Sequence, residues 1–164
     1  MLSLGSNRGD RLAWLKRACE ALAARPGFSL TACSPVYETE PVGVRPEFEG
    51  HLYLNQVVIV ETALEPEAFS EAVHDIERQL GRTRVPATPN LPRTIDIDIV
   101  AFGELRSDLP ALTLPHPRAR TRRFVLQPLA DLRPDYVLPG ETRTVSELLS
   151  RLPEKPGVCR LTPT

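Results

Sequence analysis

The chain is poor in lysine. Lys16 and Lys155 are the only two, and the other 18 basic residues are arginines. Cysteine is scarce as well. Cys19, Cys33 and Cys159 are odd in number and form no CxxC pair, which argues against a disulfide framework or a zinc ribbon. Aromatic residues make up 5% of the chain. No apolar run reaches the about 18 residues that a membrane-spanning helix needs. Residues 1–7, MLSLGSN, carry neither a basic leader nor an apolar stretch, so the expected location is the cytoplasm. Several nucleotide and hydrolase signatures are missing: GxxxxGK[ST], GxGxxG, GxSxG and HExxH do not occur. A nucleotide bound here would be held by arginines and metal ions, not by a glycine cradle.

What is present is an ordinary globular mixture of 164 residues, 41% hydrophobic and 25% charged. That suits one domain, expected over 1–153, with a loose tail at 154–164. The net charge of -1 hides a split. Between Arg78 and Arg123 lie nine arginines and four acids, a window of net +5, while the rest of the chain is net -6. Codon bias accounts for much of the arginine total but not for its clustering. The clustering points to a polyanionic ligand, because the planar guanidinium matches phosphate and carboxylate.

The pattern of elements is mixed. Residues 2–4 read as a strand running into the turn Gly5-Ser6-Asn7. Asp10 caps a helix with Leu12, Leu15, Cys19 and Leu22 at helical spacing, ending near Pro26-Gly27. Residues 28–36 and 52–61 read as strands, and 38–50, with two prolines and two glycines, as a long loop. Pro66 opens a helix with Phe69, Val73, Ile76 and Leu80 on one face, and Gly81 stops it. A second loop covers 82–93, followed by the alternating strand 94–101. Residues 110–117 read as extended and broken. A short helix near 122–132 is interrupted by Pro128, and Thr144 caps a last helix. The fold class is therefore α+β: a mainly antiparallel sheet with helices on its faces.

Asp96 and Asp98 carry the strongest chemical signal. Two apart in a strand, they point to one face about 7 Å apart, while Ile95, Ile97 and Ile99 take the other. Two adjacent carboxylates invite a hard divalent cation, and magnesium beside phosphate is the natural choice. The plainer reading is a solvated strand face. Arg82, Arg84 and Arg93 on the neighbouring loop favour a triphosphate clamp as a group, though any one of them reads equally as surface. His116 is held between Pro115 and Pro117, placed to donate to a phosphate, act as an acid or serve a structural role. Tyr53 and Asn55 share a strand face, where a ring and an amide can stack on and bond a flat heterocycle; Tyr53 and Phe124 read equally as core.

Seven ordered pieces together resemble the 6-hydroxymethyl-7,8-dihydropterin pyrophosphokinase family. They are LGSN from Leu4, YETEPVG from Tyr37, YLN from Tyr53, Ile76-Glu77 with Gly81-Arg82, PRTIDID from Pro92, LPHPR from Leu114 and RRFVL from Arg122. They span roughly residues 2 to 140. The resemblance implies a ferredoxin-like α+β fold and transfer of a pyrophosphoryl group from ATP to the pterin hydroxymethyl, with release of AMP. It implies two Mg2+ ions on Asp96 and Asp98, and charge neutralisation by the catalytic residues Arg82 and Arg93. Glu77, Arg84, Ile99, Thr113, His116 and Arg122 would serve ATP; Thr39, Gly43, Tyr53, Asn55 and Phe124 would serve the pterin. The partners it implies are these small molecules, with a monomer and no nucleic acid or membrane. Many members carry an Arg-aromatic-Gly step where this chain has VPATPNL at 85–91. The competing readings are an RNA-binding module gripping through Arg118 to Arg123, and a catalytically impaired member of the family.

Overall fold

The computed structural model describes residues 1–43, 46–48, 50–81 and 92–162. Along them run β1 (Leu2–Ser6), α1 (Arg11–Ala24), β2 (Phe28–Cys33), β3 (Tyr37–Thr39), β4 (Tyr53–Thr62), α2 (Pro66–Gln79), β5 (Asp96–Ile99), β6 (Ser107–Leu109), β7 (Leu112–Leu114), α3 (Arg123–Leu132), α4 (Val145–Ser150) and β8 (Val158–Arg160). Short 3-10 turns lie at Pro46–Phe48 and Ala119–Thr121.

Local chemistry accounts for the helix ends. The Asp10 side chain accepts the Ala13 N–H at 3.0 Å and starts α1. Pro66 occupies the first turn of α2, where its missing N–H costs nothing, and Gly81 follows that helix at φ 81°. Thr144 and Glu147 form a reciprocal capping box on α4. Leu12 departs from expectation: it is 50% exposed, and the buried stripe of α1 is Leu15, Ala18 and Leu22. Pro128 sits inside α3 without breaking it. Burial of Val125, Leu126 and Leu129 on the same helix outweighs the hydrogen bond it removes.

The sheet grows around β4, ten residues long and rich in Val and Ile. Strand order is β5-β1-β4-β3-β8, and β2 pairs with β4 as well. β2 takes the later half of β4 (Phe28 opposite Thr62) and β3 the earlier half (Thr39 opposite Tyr53). Every pairing is antiparallel, and a register shift between Leu30 and Ala32 explains the imperfect alternation of β2. Alternation then sorts side chains to two faces. Leu2, Leu4, Leu54, Val58 and Ile97 pack under α1 and α2 with Leu15, Leu22, Phe69, Val73 and Ile76. Val57 packs on the other face with Val125, Leu126, Leu129 and Val145 of α3 and α4. This is the α+β sandwich the sequence predicts.

Three expectations are corrected. Thr39 lies in a strand, β3, and not in a loop over 38–50. Residues 107–114 form a two-stranded hairpin, β6 and β7. The tail expected to be loose contributes β8, whose Val158 pairs with Thr39. Its hold on the sheet is polar: Gly157 N–H donates to Glu40 Oε2 at 2.7 Å, and Glu40 N–H to Gly157 O at 3.1 Å.

Candidate active site

The face of the sheet shared with α3 is only partly covered. Val57 and its neighbours fill the lower part, and beyond it the same face carries polar residues. Strand register puts Asp96 opposite Gly5, Gly5 opposite Asn55, and Asn55 opposite Tyr37. Asp98 stands opposite Ser3. Asp96 and Asn55 are thus separated by two strand spacings, about 10 Å.

Gly5 is what lets Asn55 lie across the sheet. A Cβ at position 5 would sit 2.9 Å from Asn55 Oδ1. Asn55 is 3% exposed, and its Nδ2 donates to Thr39 Oγ1 at 2.6 Å. A buried amide so held is oriented as well as satisfied. Tyr53 is half-buried on the same face, and burial pushes its phenol above the ordinary value. Gly43 follows β3 at φ 65°, a conformation that a side chain would strain.

At the acidic end, Arg93 Nη1 lies 2.5 Å from Asp96 Oδ2. Arg122 Nη1 lies 3.7 Å and His116 Nε2 3.9 Å from Asp98 Oδ2. The Arg122 guanidinium also stands 5.3 Å over the Phe124 ring. The backbone of Arg93 is fastened to the turn after β1: its N–H donates to Asn7 Oδ1 at 2.8 Å, and its carbonyl accepts the Asn7 N–H at 3.3 Å. His116 is tied to the end of β5 by its N–H, which donates to Val100 O at 2.8 Å. Its Nδ1 accepts the Arg118 N–H at 3.1 Å, leaving Nε2 to carry the proton of the neutral ring toward Asp98. Burial, with Arg122 and Arg118 nearby, pulls the His116 pKa down to about 4. At neutral pH this histidine is a hydrogen-bond donor and not a cation. Burial and Arg118 also lower the Arg122 pKa, opposed by Asp98 and Asp96.

The remaining sites the sequence singled out fall in different places. Ile99 ends β5 opposite Leu2. Thr113 lies in the β6–β7 hairpin, its hydroxyl donating to Leu109 O at 3.1 Å. Arg82, Arg84 and the segment 85–91 lie outside the described residues. Glu77 is 1% exposed, and its Oε1 accepts the Ile97 N–H at 2.7 Å, so it supports β5 from the α2 side.

Sequence reasoning missed three contributors. Asn7 anchors Arg93, as given above. Arg123 reads as part of a phosphate-binding cluster, yet its guanidinium donates to Leu149 O, Leu152 O and Pro153 O, the carbonyls at the end of α4. It thereby ties the Arg122–Phe124 segment to the chain beyond α4. Tyr37 donates to Asp131 Oδ2 at 2.7 Å and joins β3 to α3. Next to Thr39 and Phe124 an open pocket is walled by Val42, Leu152, Pro156 and Val158. The β8 segment thus builds one side of the site.

Asp96 and Asp98 offer hard oxygens on one face. Among the described residues no cluster of three or more His, Cys, Asp or Glu could hold a metal by itself. Two carboxylates completed by substrate phosphates and water are what magnesium ordinarily uses, so the residues fit. No helix among the described residues is long and apolar enough to cross a membrane.

Known proteins share this chain's sequence and fold. The family model for 7,8-dihydro-6-hydroxymethylpterin-pyrophosphokinase matches residues 1–134. A 2-amino-4-hydroxy-6-hydroxymethyldihydropteridine pyrophosphokinase of Methylorubrum extorquens is 42% identical over 151 residues, covering 92% of this chain and 91% of that protein. The protein of the same name from Pseudomonas aeruginosa is 39% identical over 162 residues, covering 98% and 94%. Among solved structures, wild-type HPPK-DHPS of Plasmodium falciparum with pteroate superposes with TM-score 0.69 at 14% identity. It is matched over 92% of this chain but 43% of its own length, so this chain spans less than half of that protein. That likeness supports the ferredoxin-like fold alone. By the family model and by relatives matched along nearly their whole length, the chain belongs to the 7,8-dihydro-6-hydroxymethylpterin-pyrophosphokinase family.

Proposed function

We propose that this chain transfers the pyrophosphoryl group of ATP to the hydroxymethyl of 6-hydroxymethyl-7,8-dihydropterin, releasing AMP, a step of folate biosynthesis. The observation that carries the reading is the shared sheet face. It sets Asp96, of the carboxylate pair Asp96 and Asp98, two strand spacings or about 10 Å from a buried, oriented amide, Asn55, with Gly5, which has no side chain, between them. Such a span suits a phosphate chain at one end and a flat polar ring at the other.

In this reading Asn55 and Thr39 bond the polar edge of the pterin, Tyr53 and Phe124 stack on its faces, and Gly43 shapes the adjoining loop. Asp96 and Asp98 hold Mg2+, two ions being expected, which when bound offset the triphosphate charge. The hydroxymethyl oxygen attacks the β-phosphorus of ATP. The bond from that phosphorus to the α,β-bridging oxygen breaks, and the hydroxyl proton passes to water. Arg93, with Arg82, neutralises charge at the attacked phosphorus. Arg122, Arg84 and neutral His116 bind ATP phosphates as donors, and Ile99 and Thr113 border the nucleotide. Positioning and charge stabilisation supply the acceleration, as is usual in phosphoryl transfer. The working form is a monomer in the cytoplasm, using no nucleic acid or membrane partner.

The RNA-binding reading loses support because two of its four arginines are engaged within the fold: Arg120 with Glu141, and Arg123 with three carbonyls. The test is to mix the protein with ATP, Mg2+ and 6-hydroxymethyl-7,8-dihydropterin and separate the nucleotides. AMP formed only when the pterin is present is expected. ADP, or no product, overturns the reading and favours an impaired family member.

A further inference from the structure

Glu77 is a carboxylate almost withdrawn from water, at 1% exposure. It stands next to Ile76, which is in the core under the sheet. An ionised group there is costly unless it is hydrogen-bonded. Its Oε1 accepts the Ile97 N–H at 2.7 Å, and Ile97 is the residue between Asp96 and Asp98.

That position matters because, among the described residues, β5 is an edge strand of four residues, paired with β1 on one side only. In an antiparallel ladder alternate residues turn their N–H groups away from the partner. At an edge such an N–H has no following strand, and here Glu77 takes the place of one. The strand is therefore held on three sides. The ladder to β1 fixes one edge. Ile95 and Ile97 are buried in the core under α1 and α2. Glu77 fixes the other edge. The load on this strand is unusual, since two like charges about 7 Å apart on one face repel each other when both are ionised.

We propose that Glu77 is a positioning residue: its hydrogen bond from the Ile97 N–H holds β5 so that Asp96 and Asp98 face a divalent cation as one fixed pair. This rests on the reading of the two aspartates as metal ligands. A partner that orients metal ligands typically changes metal affinity about 10- to 100-fold when removed. The bond needs an oxygen acceptor and not a charge. Glu77→Gln therefore preserves it, and Glu77→Leu, of similar volume, abolishes it.

The test uses the whole protein without nucleotide or pterin. Mn2+ alone is titrated and followed by electron paramagnetic resonance, and the Ile97 amide is followed by hydrogen exchange in NMR. Glu77→Leu is expected to weaken Mn2+ binding about 10- to 100-fold and to speed exchange at Ile97 while leaving Val58 in β4 unchanged. Glu77→Gln is expected to stay close to wild type in both. Wild-type Mn2+ affinity in Glu77→Leu, or equal losses in both variants, overturns the proposal. Should Glu77→Leu fail to fold, Glu77→Gln and the unaltered protein decide. Wild-type Ile97 exchanging as fast as an exposed amide, or Glu77→Gln losing Mn2+, overturns it. An Asp96→Asn control separates the two layers. If it retains Mn2+ binding, the metal reading fails and the positioning role with it. If it loses binding while Glu77→Leu keeps it, only the positioning role fails.

Discussion

The two faces of the sheet are built to different ends. Under α1 and α2 the face is closed by large apolar side chains, with Phe28, Phe69 and Phe102 meeting edge-on or tilted at centroid distances of 4.8 and 5.4 Å. On the other face α3 and α4 cover only the lower part, and the rest carries carboxylates, an amide and arginines. Both faces are drawn from the same strands, residue by residue in alternation. Both faces carry a core, but on the second it is confined to the part under α3 and α4, and the rest of that face holds polar groups whose burial or mutual repulsion is unfavourable. The difference teaches that this site depends on a core it does not touch, and Glu77 is the one proposed link from that core to the site.

The comparison breaks most sharply at the metal end. Asp96→Asn or Asp98→Asn is expected to lower turnover about 10³-fold or more, with the thermal melt scarcely moved. A variant retaining most activity would remove the two aspartates from the site. The mirror experiment is Phe69→Ala. At 2% exposure this side chain is expected to contribute about 3–5 kcal/mol to stability, read by urea unfolding, while the turnover of folded molecules stays near wild type. Equal loss of both would mean the faces are not separable.

Smaller effects sharpen the picture within the open face. Asn55→Ala is expected to raise the pterin KM about 10- to 100-fold, the value of one to two good hydrogen bonds to the substrate, and to leave Mn2+ binding unchanged. Gly5→Ala places a methyl 2.9 Å from Asn55 Oδ1, so the amide must shift from the position in which it bonds Thr39. It is expected to reproduce part of the Asn55→Ala defect in KM with kcat largely kept.

The smallest effect concerns the closed face. Burial, followed by the neighbouring Cys33, pushes the Cys19 thiol up to about 12, whereas Cys33 and Cys159 are exposed. Iodoacetamide at pH 8 is expected to label Cys33 and Cys159 and spare Cys19, as peptide mass spectrometry would report. The sign for stability follows. The unfolded thiol loses its proton near its ordinary value of 9.0 and the folded one near about 12, so this group makes the fold less stable as pH rises between them. A Cys19→Ala variant should show a flatter pH dependence of urea unfolding in that window.

Much of the scaffold was legible from local signals. Asp10, Pro66 and Thr144 mark their helix starts because each acts on N–H groups within one turn. The alternation at 94–101 marks which face Asp96 and Asp98 take, since the period of two is a property of the strand itself. Leu12 misled, because periodicity names a stripe without saying which residue sits at its solvent edge. Pro128 misled too: a rule about isolated helices yields to burial on a packed one. The β8 strand was hidden because three residues with a partner over a hundred positions away carry no periodic signal.

The sequence alone determined the helices, the central strand β4, the paired acids on one face and, through seven ordered motifs, the family. These depend on spacing, capping and residue chemistry within a few turns of chain. Only the tertiary structure decided that Arg123 braces α4 while Arg122 faces Asp98, that Asn55 lies across Gly5 to Thr39, and that Glu77 sits behind Ile97. Neighbouring arginines are chemically alike in sequence. What separates them is which unpaired carbonyl or carboxylate the fold brings within reach, and buried polar groups must find such partners before any ligand arrives.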